Sequence, residues 1–495
     1  MNRFFLATRF TFSTLLRPVS TSCRPLNNAH CPTNNAFLLL LFCLCGLLVP
    51  RAVHSQTGSK VAELDSLLVR AHRIGMFNGN VLVASHGKVI YQRALGQADA
   101  SGAIPLTEAY RFHIGSIAKE FNAVGIMMLK EQGKLRLEDP IRLYLPELPA
   151  WAAQVQVRHL LQYTSGVPQS PWREVTGDAD NLQRLQKVTA LDFAPGTKYA
   201  YNNNDVFLQR RIIERLTGLS FAAFVQKKML RPCRITHAVV DPTAQDPLVA
   251  RAYNNQGVAD PIIYPITGWP ALNLRDFYRW SESINAFKLI GPAATRELFQ
   301  PFAPGTQTGL GGGAMAAEQV ARHVHDGTAG NYQALLFSTP ASAITVLLLT
   351  NNKQNNLPAI NQAIAAVLEG KPYAAITKSF LGSFRSELAS LDGQQVLSLY
   401  AKVKAQQPTL YGFGQEELLN ETGYYLLGQK KVADAIVVLD YNTTLFPTSA
   451  NAFDSLAEAY YQHGDKAKAL ENYAQALKLN PDLASAKKML AELTK

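Results

Sequence analysis

The first residues that could perform chemistry are a serine and a lysine three positions apart, Ser116 and Lys119, which lead into a run with helical spacing of apolar residues. Side chains three apart lie on one face of a helix, and a serine at its start faces the positive end of the helix dipole. A neutral lysine there could take the hydroxyl proton if burial or a neighbouring positive charge lowers its pKa. The pair alone is weak evidence, because about one or two such pairs arise by chance in a chain of this size. Ser485 and Lys488 form another such pair in the tail.

A second polar segment contains Tyr201 and Asn203, which follow a Pro-Gly turn at 195–196 and precede a helical run at 206–216. A phenol beside a lysine can relay protons to and from the serine oxygen. The amide of Asn203 can hold both the lysine and the carbonyl or amide group of a substrate. A similar segment at 253–255 we interpret as a polar loop.

The third segment is His325-Asp326-Gly327-Thr328, which we place at the end of one strand and before the next. A glycine at the third position would let a substrate lie against the strand edge. The backbone N–H groups of Thr328 and Ser116 could then form an oxyanion hole, with His325 at the rim of the pocket.

In this order the three segments resemble the signatures Ser-x-x-Lys, Tyr-x-Asn and Lys/His-x-Gly of the serine β-lactamase, DD-peptidase and esterase superfamily of class C type. The segment 158–168, which ends in Thr-Ser-Gly-Val-Pro, is also similar to that family, and the resemblance covers about residues 62–370. It implies acyl-enzyme chemistry on an amide or ester, with Ser116 as nucleophile and Lys119 and Tyr201 handling its proton. It implies no metal and no cofactor.

The resemblance also implies that His325 belongs to the catalytic set and that Asn203, Gly327 and Thr328 bind the substrate. His325 stands where class C β-lactamases carry lysine, as it does in DD-peptidase and aminopeptidase relatives, so we do not expect efficient β-lactam hydrolysis. D-amino-acid peptides, esters and β-lactams all stay open as substrates, because loop shape around a pocket selects among them.

Two other interpretations of these segments are weaker. His323 and His325 share one strand face, which suggests a metallohydrolase, but Gly327 stands where such a motif needs aspartate and no later ligand has suitable spacing. We therefore expect His323 to be a packed or surface residue. The segment 309–313 resembles a dinucleotide loop, but it lacks the third glycine and the following βαβ unit, so we interpret it as a flexible entry to a strand.

Two different classes of function compete with catalysis. The fold could be a catalytically silent module that binds cell-wall peptides and presents its tail to a partner protein, or the tail could make the protein chiefly a scaffold. The joint presence of a serine, lysine, tyrosine and glycine in the motif positions favours catalysis, because a silent relative has no chemical need to keep them together.

Composition and charge indicate an exported globular protein. The sequence is 47% hydrophobic and 17% charged, a composition that suits folded domains. Its length of 495 residues exceeds what one hydrophobic core usually organises. Residues 1–55 contain five arginines, no acidic residue and an apolar run at 36–49. We therefore expect a signal peptide cleaved after Ser55 and a periplasmic or extracellular protein, with an uncleaved membrane anchor as the alternative.

The remainder of the chain carries 43 basic and 37 acidic residues, a net charge of +6, and it has no cluster of basic residues that would bind nucleic acid. It also holds one cysteine, Cys233, which we expect to be packed.

Strand patterns near both ends of the first domain enclose a helical middle. We therefore expect an α/β (α+β) fold in which one antiparallel sheet, built from both ends of the domain, is flanked by helices and interrupted by a helical insertion. We place this domain at 56–372. The strand patterns lie at 79–91, 319–325, 334–338 and 344–350.

The tail repeats with a period of 34 residues, and its large and small positions alternate as in tetratricopeptide repeats. Gly423 and Leu439, for example, recur as Ala457 and Tyr473. We expect an all-α segment, whose parts are a helical linker at 373–415, repeats at 416–449 and 450–483, and a closing helix. Such repeats bind peptides in some proteins and only cap or dimerise the chain in others, so a protein partner and self-association both stay open.

Overall fold

The computed structural model describes residues 49–261 and 265–494. Most of the expected leader, up to residue 48, lies outside the described residues, and its cleavage after Ser55 stays a prediction. No helix in the described ranges combines the length and the apolar character that crossing a membrane requires.

The chain forms two compact units. The first contains Gly79–Asn361 with the described residues up to Asp65, and the second contains Ser66–Asn78 and Gln362–Lys495. Each unit has its own apolar core, because the largest cluster of buried apolar residues lies within 82–349 and two further clusters lie within 380–493.

Nine strands occur in the described residues, and six of them form an antiparallel sheet in the order β2-β1-β9-β8-β7-β6. β1 pairs with β9 from Gly79 opposite Thr350 to Ser85 opposite Ile344, which joins the beginning of the unit to its end. The sequence pattern predicts this closure, and the antiparallel sheet with flanking helices is confirmed. The strands are β1 (Gly79–Ser85), β2 (Lys88–Leu95), β3 (Phe112–His113), β4 (Val239–Val240), β5 (Pro270–Leu272), β6 (Gly312–Ala316), β7 (Gln319–Ala329), β8 (Tyr332–Thr339) and β9 (Ile344–Thr350).

Strand β7 runs four residues further than the sequence pattern indicates. The expected strand ends at His325, whereas β7 continues through Gly327 to Ala329. The extension arises because every residue from His323 to Ala329 has an antiparallel partner in β8, up to the tight hairpin at Tyr332. The third polar segment therefore lies within a strand.

A second, three-stranded sheet in the order β3-β5-β4 was not expected from the sequence. Its strands span two or three residues each, so they are too short to show a periodic pattern. β3 matters for function because it ends two residues before Gly115, where the chain turns toward Ser116.

The helical insertion between β2 and β6 is packed around one almost completely buried helix, Lys119–Glu131. Its Phe121 ring stacks on Trp280 with ring centres 3.8 Å apart, and its Gly125 allows close contact with Ile213 of a neighbouring helix. The helices between β2 and β6 with at least eight residues are Lys119–Glu131, Asp178–Gln186, Asn203–Thr217, Leu274–Asn285 and Pro292–Phe299.

The tail is entirely helical in its described part, as expected. Gly423 and Leu439 lie on paired helices, and a β-carbon on Gly423 would approach the Leu439 side chain to 2.5 Å, so the small residue of the repeat is required by packing. The helices after β9 are Leu357–Glu369, Phe380–Leu388, Gly393–Gln406, Glu417–Gly428, Val432–Leu445, Ala450–His463, Lys466–Leu479 and Ala484–Leu493.

Replacing Gly423 with valine should destabilise the second unit by about 1–3 kcal/mol, because the added side chain overlaps the buried Leu439. Gly428 is the matched control, since no atom of the described residues lies within 4 Å of a β-carbon placed there. Urea unfolding followed by far-ultraviolet circular dichroism measures both variants. Equal stability of Gly423→Val and Gly428→Val would contradict the interlocking of the paired helices.

Candidate active site

Ser116 lies in a single 3₁₀ turn, Gly115–Ala118, that enters the buried helix Lys119–Glu131. The turn presses against β7: a β-carbon on Gly115 would overlap the backbone of Thr328, and one on Gly327 would overlap the carbonyl of Ile114. Gly115 also has a positive φ of 54°, which favours glycine. Both glycines are therefore required by the close approach of two backbone segments.

The edge of β7 that faces Ser116 is not covered by β6. The pairing of β6 with β7 begins at Gly312, opposite Val324, and runs away from the site. Beyond Val324, the free edge of β7 meets the turn that carries Ser116. A β-carbon on Gly327 would lie 2.8 Å from the backbone nitrogen of Ser116, so the two segments bring their amide groups together.

Two of the predicted side chains meet at the Ser116 hydroxyl. Lys119 Nζ donates to Ser116 Oγ at 3.2 Å, and the Tyr201 hydroxyl donates to the same oxygen at 2.9 Å. The lysine nitrogen also lies 5.0 Å from the centre of the Tyr201 ring. The serine oxygen thus has two proton-carrying partners within hydrogen-bond distance.

Burial, and the charge of Arg210 beside it, lower the pKa of Lys119 to about 7. The lysine side chain is 4% exposed, so its ammonium form loses most of its hydration. Burial raises the pKa of Tyr201 well above its usual range, which keeps the phenol protonated. A lysine that is neutral in a large fraction of molecules near neutral pH can act as a base.

Arg210 is a functional candidate that the sequence analysis missed. It is completely buried on the helix Asn203–Thr217, donates to Asn122 Oδ1 at 2.8 Å and to the carbonyl of Thr267, and lies 4.9 Å from the Trp269 ring centre. The available signal was an arginine three residues after Phe207 on the apolar face of a helix.

Asn203 carries an unpaired hydrogen-bond acceptor and lies in the lining of the Ser116 cavity. It is the first residue of its helix, after Asn202, whose side chain caps the helix by accepting from Asn204 N at 2.8 Å. Asn203 Oδ1 is buried and accepts no hydrogen bond from any residue that the structure describes.

A cavity of about 550 Å³ opens at Ser116. It contains five of the seven residues that the sequence singled out, and Gly327 packs directly behind them. The predicted residues in this cavity are Ser116, Lys119, Tyr201, Asn203 and Thr328, and its aromatic wall contains Trp172, Tyr201, Trp269 and Tyr332.

His325 occupies a different position from the expected pocket rim. Its side chain is 3% exposed and borders a second cavity of about 870 Å³, which shares Tyr201 with the first. His325 Nδ1 lies 2.7 Å from Glu120 Oε1, and its Nε2 lies 2.7 Å from the side-chain nitrogen of Gln307. The imidazole is thus held from both sides rather than exposed at the cavity mouth.

Glu120, which the sequence analysis also missed, is the centre of a buried polar cluster. His323 Nε2 lies 2.8 Å from the carboxylate oxygen that also meets His325, and Trp280 Nε1 donates to the other oxygen at 2.6 Å. Burial alone would raise the pKa of Glu120, but His323 and His325 hold it well below its usual range. His323 is fully buried, so it is a packed residue.

The sequence also raised the questions of whether Cys233 is packed and whether a metal site is present. Cys233 is buried, and burial raises the pKa of its thiol, which suits a packed residue. Within the described ranges, no three histidine, cysteine, aspartate or glutamate side chains are grouped in a way that could hold a metal ion.

Comparison with known proteins identifies relatives of the first unit and of the tail. The beta-lactamase family profile matches residues 62–371, and a tetratricopeptide repeat profile matches 450–483. Penicillin-binding protein 4* of Bacillus subtilis is 31% identical over 183 residues, which cover 35% of this chain and 40% of that protein. Esterase EstB of Burkholderia gladioli is 31% identical over 209 residues, which cover 37% of this chain and 52% of the esterase. The chain thus spans about half or less of these two curated relatives.

Solved structures show the same fold. A class C beta-lactamase superposes with a TM-score of 0.54 at 19% identity, covering 63% of this chain and 98% of the enzyme. The octameric penicillin-binding protein homologue from Pyrococcus abyssi also gives a TM-score of 0.54, at 22% identity, covering 63% of this chain and 78% of that protein. The family profile covers well over half of the sequence and contains every residue around Ser116 described above. The chain belongs to the beta-lactamase family and carries a tetratricopeptide repeat in its tail.

Proposed function

We propose that the protein is a serine hydrolase that cleaves an amide or ester through an acyl-enzyme on Ser116. Its family includes penicillin-binding proteins, esterases and β-lactamases, which supports serine hydrolase activity. The observation that carries the proposal is the pair of hydrogen bonds to Ser116 Oγ from a buried lysine with a lowered pKa and from a partly buried tyrosine.

In the first half of the reaction, Ser116 Oγ attacks the substrate carbonyl carbon while its proton passes to neutral Lys119, directly or through Tyr201. The tetrahedral intermediate collapses when the bond to the leaving group breaks. The leaving nitrogen or oxygen takes the proton back from the Lys119–Tyr201 pair, and the acyl group remains as an ester on Ser116.

In the second half, water attacks the acyl ester and gives a proton to the same pair. The Ser116 oxygen then leaves and recovers a proton, so that the free acid is released and the enzyme returns to its first state. Every proton that moves can be carried by groups within hydrogen-bond distance of Ser116 Oγ.

The backbone N–H groups of Ser116 and Thr328 stabilise the negative oxygen of the tetrahedral intermediate. This part of the proposal is supported by the close approach of β7 to the Ser116 turn, which requires both Gly115 and Gly327. Two backbone donors fixed by packing need no reorganisation when charge develops on the substrate. Asn203 is assigned to substrate binding, because it lies in the lining of the Ser116 cavity and its side-chain oxygen has no hydrogen-bond partner among the described residues.

We also propose that the protein is exported and that its tail has a protein partner. The arginine-rich, acid-free leader with its apolar run supports export. The tetratricopeptide repeat in the tail suggests interaction with another protein, which includes the possibility of a second copy of this chain.

Labelling with a fluorophosphonate or a fluorescent β-lactam tests the proposal. The wild-type protein should be labelled and Ser116→Ala should not, because the fluorophosphonate forms a phosphonyl ester and the β-lactam an acyl ester on the serine oxygen that the variant lacks. Hydrolysis of a nitrophenyl ester should fall to background in the same variant. A folded wild-type protein that neither probe labels and that hydrolyses no ester would favour a silent module that binds cell-wall peptides.

Removing the charge of Arg210 should move the acid limb of the pH–rate profile to higher pH. The arginine lowers the pKa of Lys119, so Arg210→Met raises it, and a smaller fraction of the lysine is neutral at a given pH. In the wild type, activity should rise through about pH 7 as Lys119 loses its proton. The measurement is kcat/KM for an ester between about pH 5.5 and 9.

The control for this experiment is Arg211→Met. Arg211 is the next residue along the helix and pairs with Asp178 and Glu214, and the pKa of Lys119 is shifted by burial and Arg210 but not by Arg211, so its loss should leave the limb in place. An unmoved limb in Arg210→Met would disprove the electrostatic role of Arg210.

A methyl group at Gly327 should push β7 away from the Ser116 turn and lower kcat by about 100-fold, the loss typical of a missing oxyanion donor. Gly414→Ala is the control, because no atom in the described part of the chain lies within 4 Å of a β-carbon placed there and Gly414 borders neither cavity. Steady-state kinetics and thermal unfolding of both variants separate activity from stability. Similar kcat values for the two variants would refute the oxyanion assignment.

A further inference from the structure

The second cavity, of about 870 Å³, adjoins the Ser116 cavity, and nothing in the proposed reaction yet uses it. Tyr201 lines both cavities and donates its hydrogen bond to Ser116 Oγ. A group expelled from the tetrahedral intermediate must lie beside Tyr201 to receive a proton there. The second cavity has the larger volume, about 870 Å³ against about 550 Å³ for the first, so it has room for the leaving group.

Gln307 is the amide side chain that borders this second cavity near Tyr201. Its side-chain nitrogen lies 2.7 Å from His325 Nε2, and its backbone N–H donates to the Tyr199 hydroxyl at 3.3 Å. The backbone and the side chain are therefore both held, and the side-chain orientation depends on which hydrogen His325 carries.

Glu120 determines which ring nitrogen of His325 carries a hydrogen, because an ionised carboxylate only accepts hydrogen bonds. Its Oε1 lies 2.7 Å from His325 Nδ1 and 2.8 Å from His323 Nε2, so each of these ring nitrogens must carry a hydrogen. Its Oε2 is already taken by the Trp280 N–H. Glu120 and His323 are completely buried, so water cannot supply an alternative donor.

The side-chain nitrogen of Gln307 faces His325 Nε2, so this ring nitrogen accepts through its lone pair, and His325 carries its hydrogen on Nδ1. Gln307 can form a hydrogen bond with this lone pair only through its amide N–H, because its carbonyl oxygen is itself an acceptor and would be repelled by the lone pair. The amide is planar, so its oxygen is then directed away from His325. Thr306 and Thr308 flank Gln307 on the loop that forms this wall of the cavity.

We infer, on the basis of the proposed function, that the Gln307 carbonyl oxygen faces the second cavity and receives the N–H of an amide leaving group. His325 holds Gln307 in this orientation. Glu120 is a positioning residue, because it fixes the tautomer of His325. The ligand chemistry follows from this acceptor. A secondary amide or peptide has an N–H on its leaving atom, whereas an ester oxygen and the ring nitrogen of a β-lactam have none.

A matched pair of substrates tests the inference: p-nitrophenyl butyrate and butyryl p-nitroanilide, which share the acyl group and differ in the leaving atom. Gln307→Ala should lower kcat/KM for the anilide by about 5- to 10-fold, the value of one hydrogen bond, and change the ester by less than about twofold. Gln354→Ala is the control, because Gln354 bonds to Asn255 and Asn352 outside both cavities. Equal losses for ester and anilide, or no loss for either, would overturn the inference, and so would a wild type that cleaves only the ester.

Glu120→Gln tests the positioning step. It should reproduce the selective loss of anilide hydrolysis, and the ¹⁵N spectrum of the histidine rings should show that His325 no longer keeps hydrogen on Nδ1 alone. The His325 signals are assigned from their absence in His325→Gln. In the wild type the spectrum should show His325 Nδ1 protonated and Nε2 unprotonated, and a protonated Nε2 would refute the orientation of Gln307.

The spectrum also keeps the two proposals separable. If the wild-type protein is neither labelled nor active, the serine hydrolase proposal fails while the His325 tautomer can still be measured. If it is labelled and active but Gln307→Ala keeps the wild-type ratio of anilide to ester hydrolysis, only the further inference fails. Should Glu120→Gln not fold, Gln307→Ala still decides, because its part-buried side chain lies on a loop.

Discussion

The site depends on one steric constraint: the backbone of β7 and the turn before Ser116 approach so closely that neither Gly115 nor Gly327 can carry a β-carbon. This approach brings the amide groups of Ser116 and Thr328 together and closes the back of the cavity. It is possible because β6 pairs with β7 only as far as Val324, which leaves the rest of that strand edge free. The sheet therefore contributes a backbone surface to the site, and the helical insertion contributes the side chains.

Around this contact, buried charged groups shift the pKa values of the candidate catalytic residues. Arg210 lowers the pKa of Lys119, while the cluster around Glu120 keeps a negative charge on the other side of the same helix turn. Lys119 and Glu120 are adjacent in sequence but have different neighbours: Arg210 acts on the lysine, whereas His323 and His325 contact the carboxylate. A buried charge is costly unless it is paired, so each of these groups constrains the side chains around it. The cost of burying charged groups therefore both fixes the positions of these side chains and shifts their pKa values.

The second unit is organised by a different rule. Its helices interlock through small residues facing large ones, as Gly423 faces Leu439, and its contacts are mostly between neighbouring helices. The two units thus combine a site whose geometry depends on contacts between distant segments with a stack of locally determined helices. The family relationship concerns the first, and the repeat profile concerns the second.

The sequence by itself determined the antiparallel sheet built from both ends of the unit and the helical repeat character of the tail, and it singled out Ser116, Lys119, Tyr201 and Asn203 as candidates, because periodic patterns and motif spacing are local properties. Only the tertiary structure decided the surroundings of Lys119 and the position of His325. Arg210 is 91 positions from Lys119, and Gln307 is 106 from Tyr201, and no local pattern relates such residues. The short strands β3, β4 and β5 were equally hidden, since two or three residues show no period. Charge, burial and tautomer are set by neighbours in space, which the order of residues along a chain does not reveal.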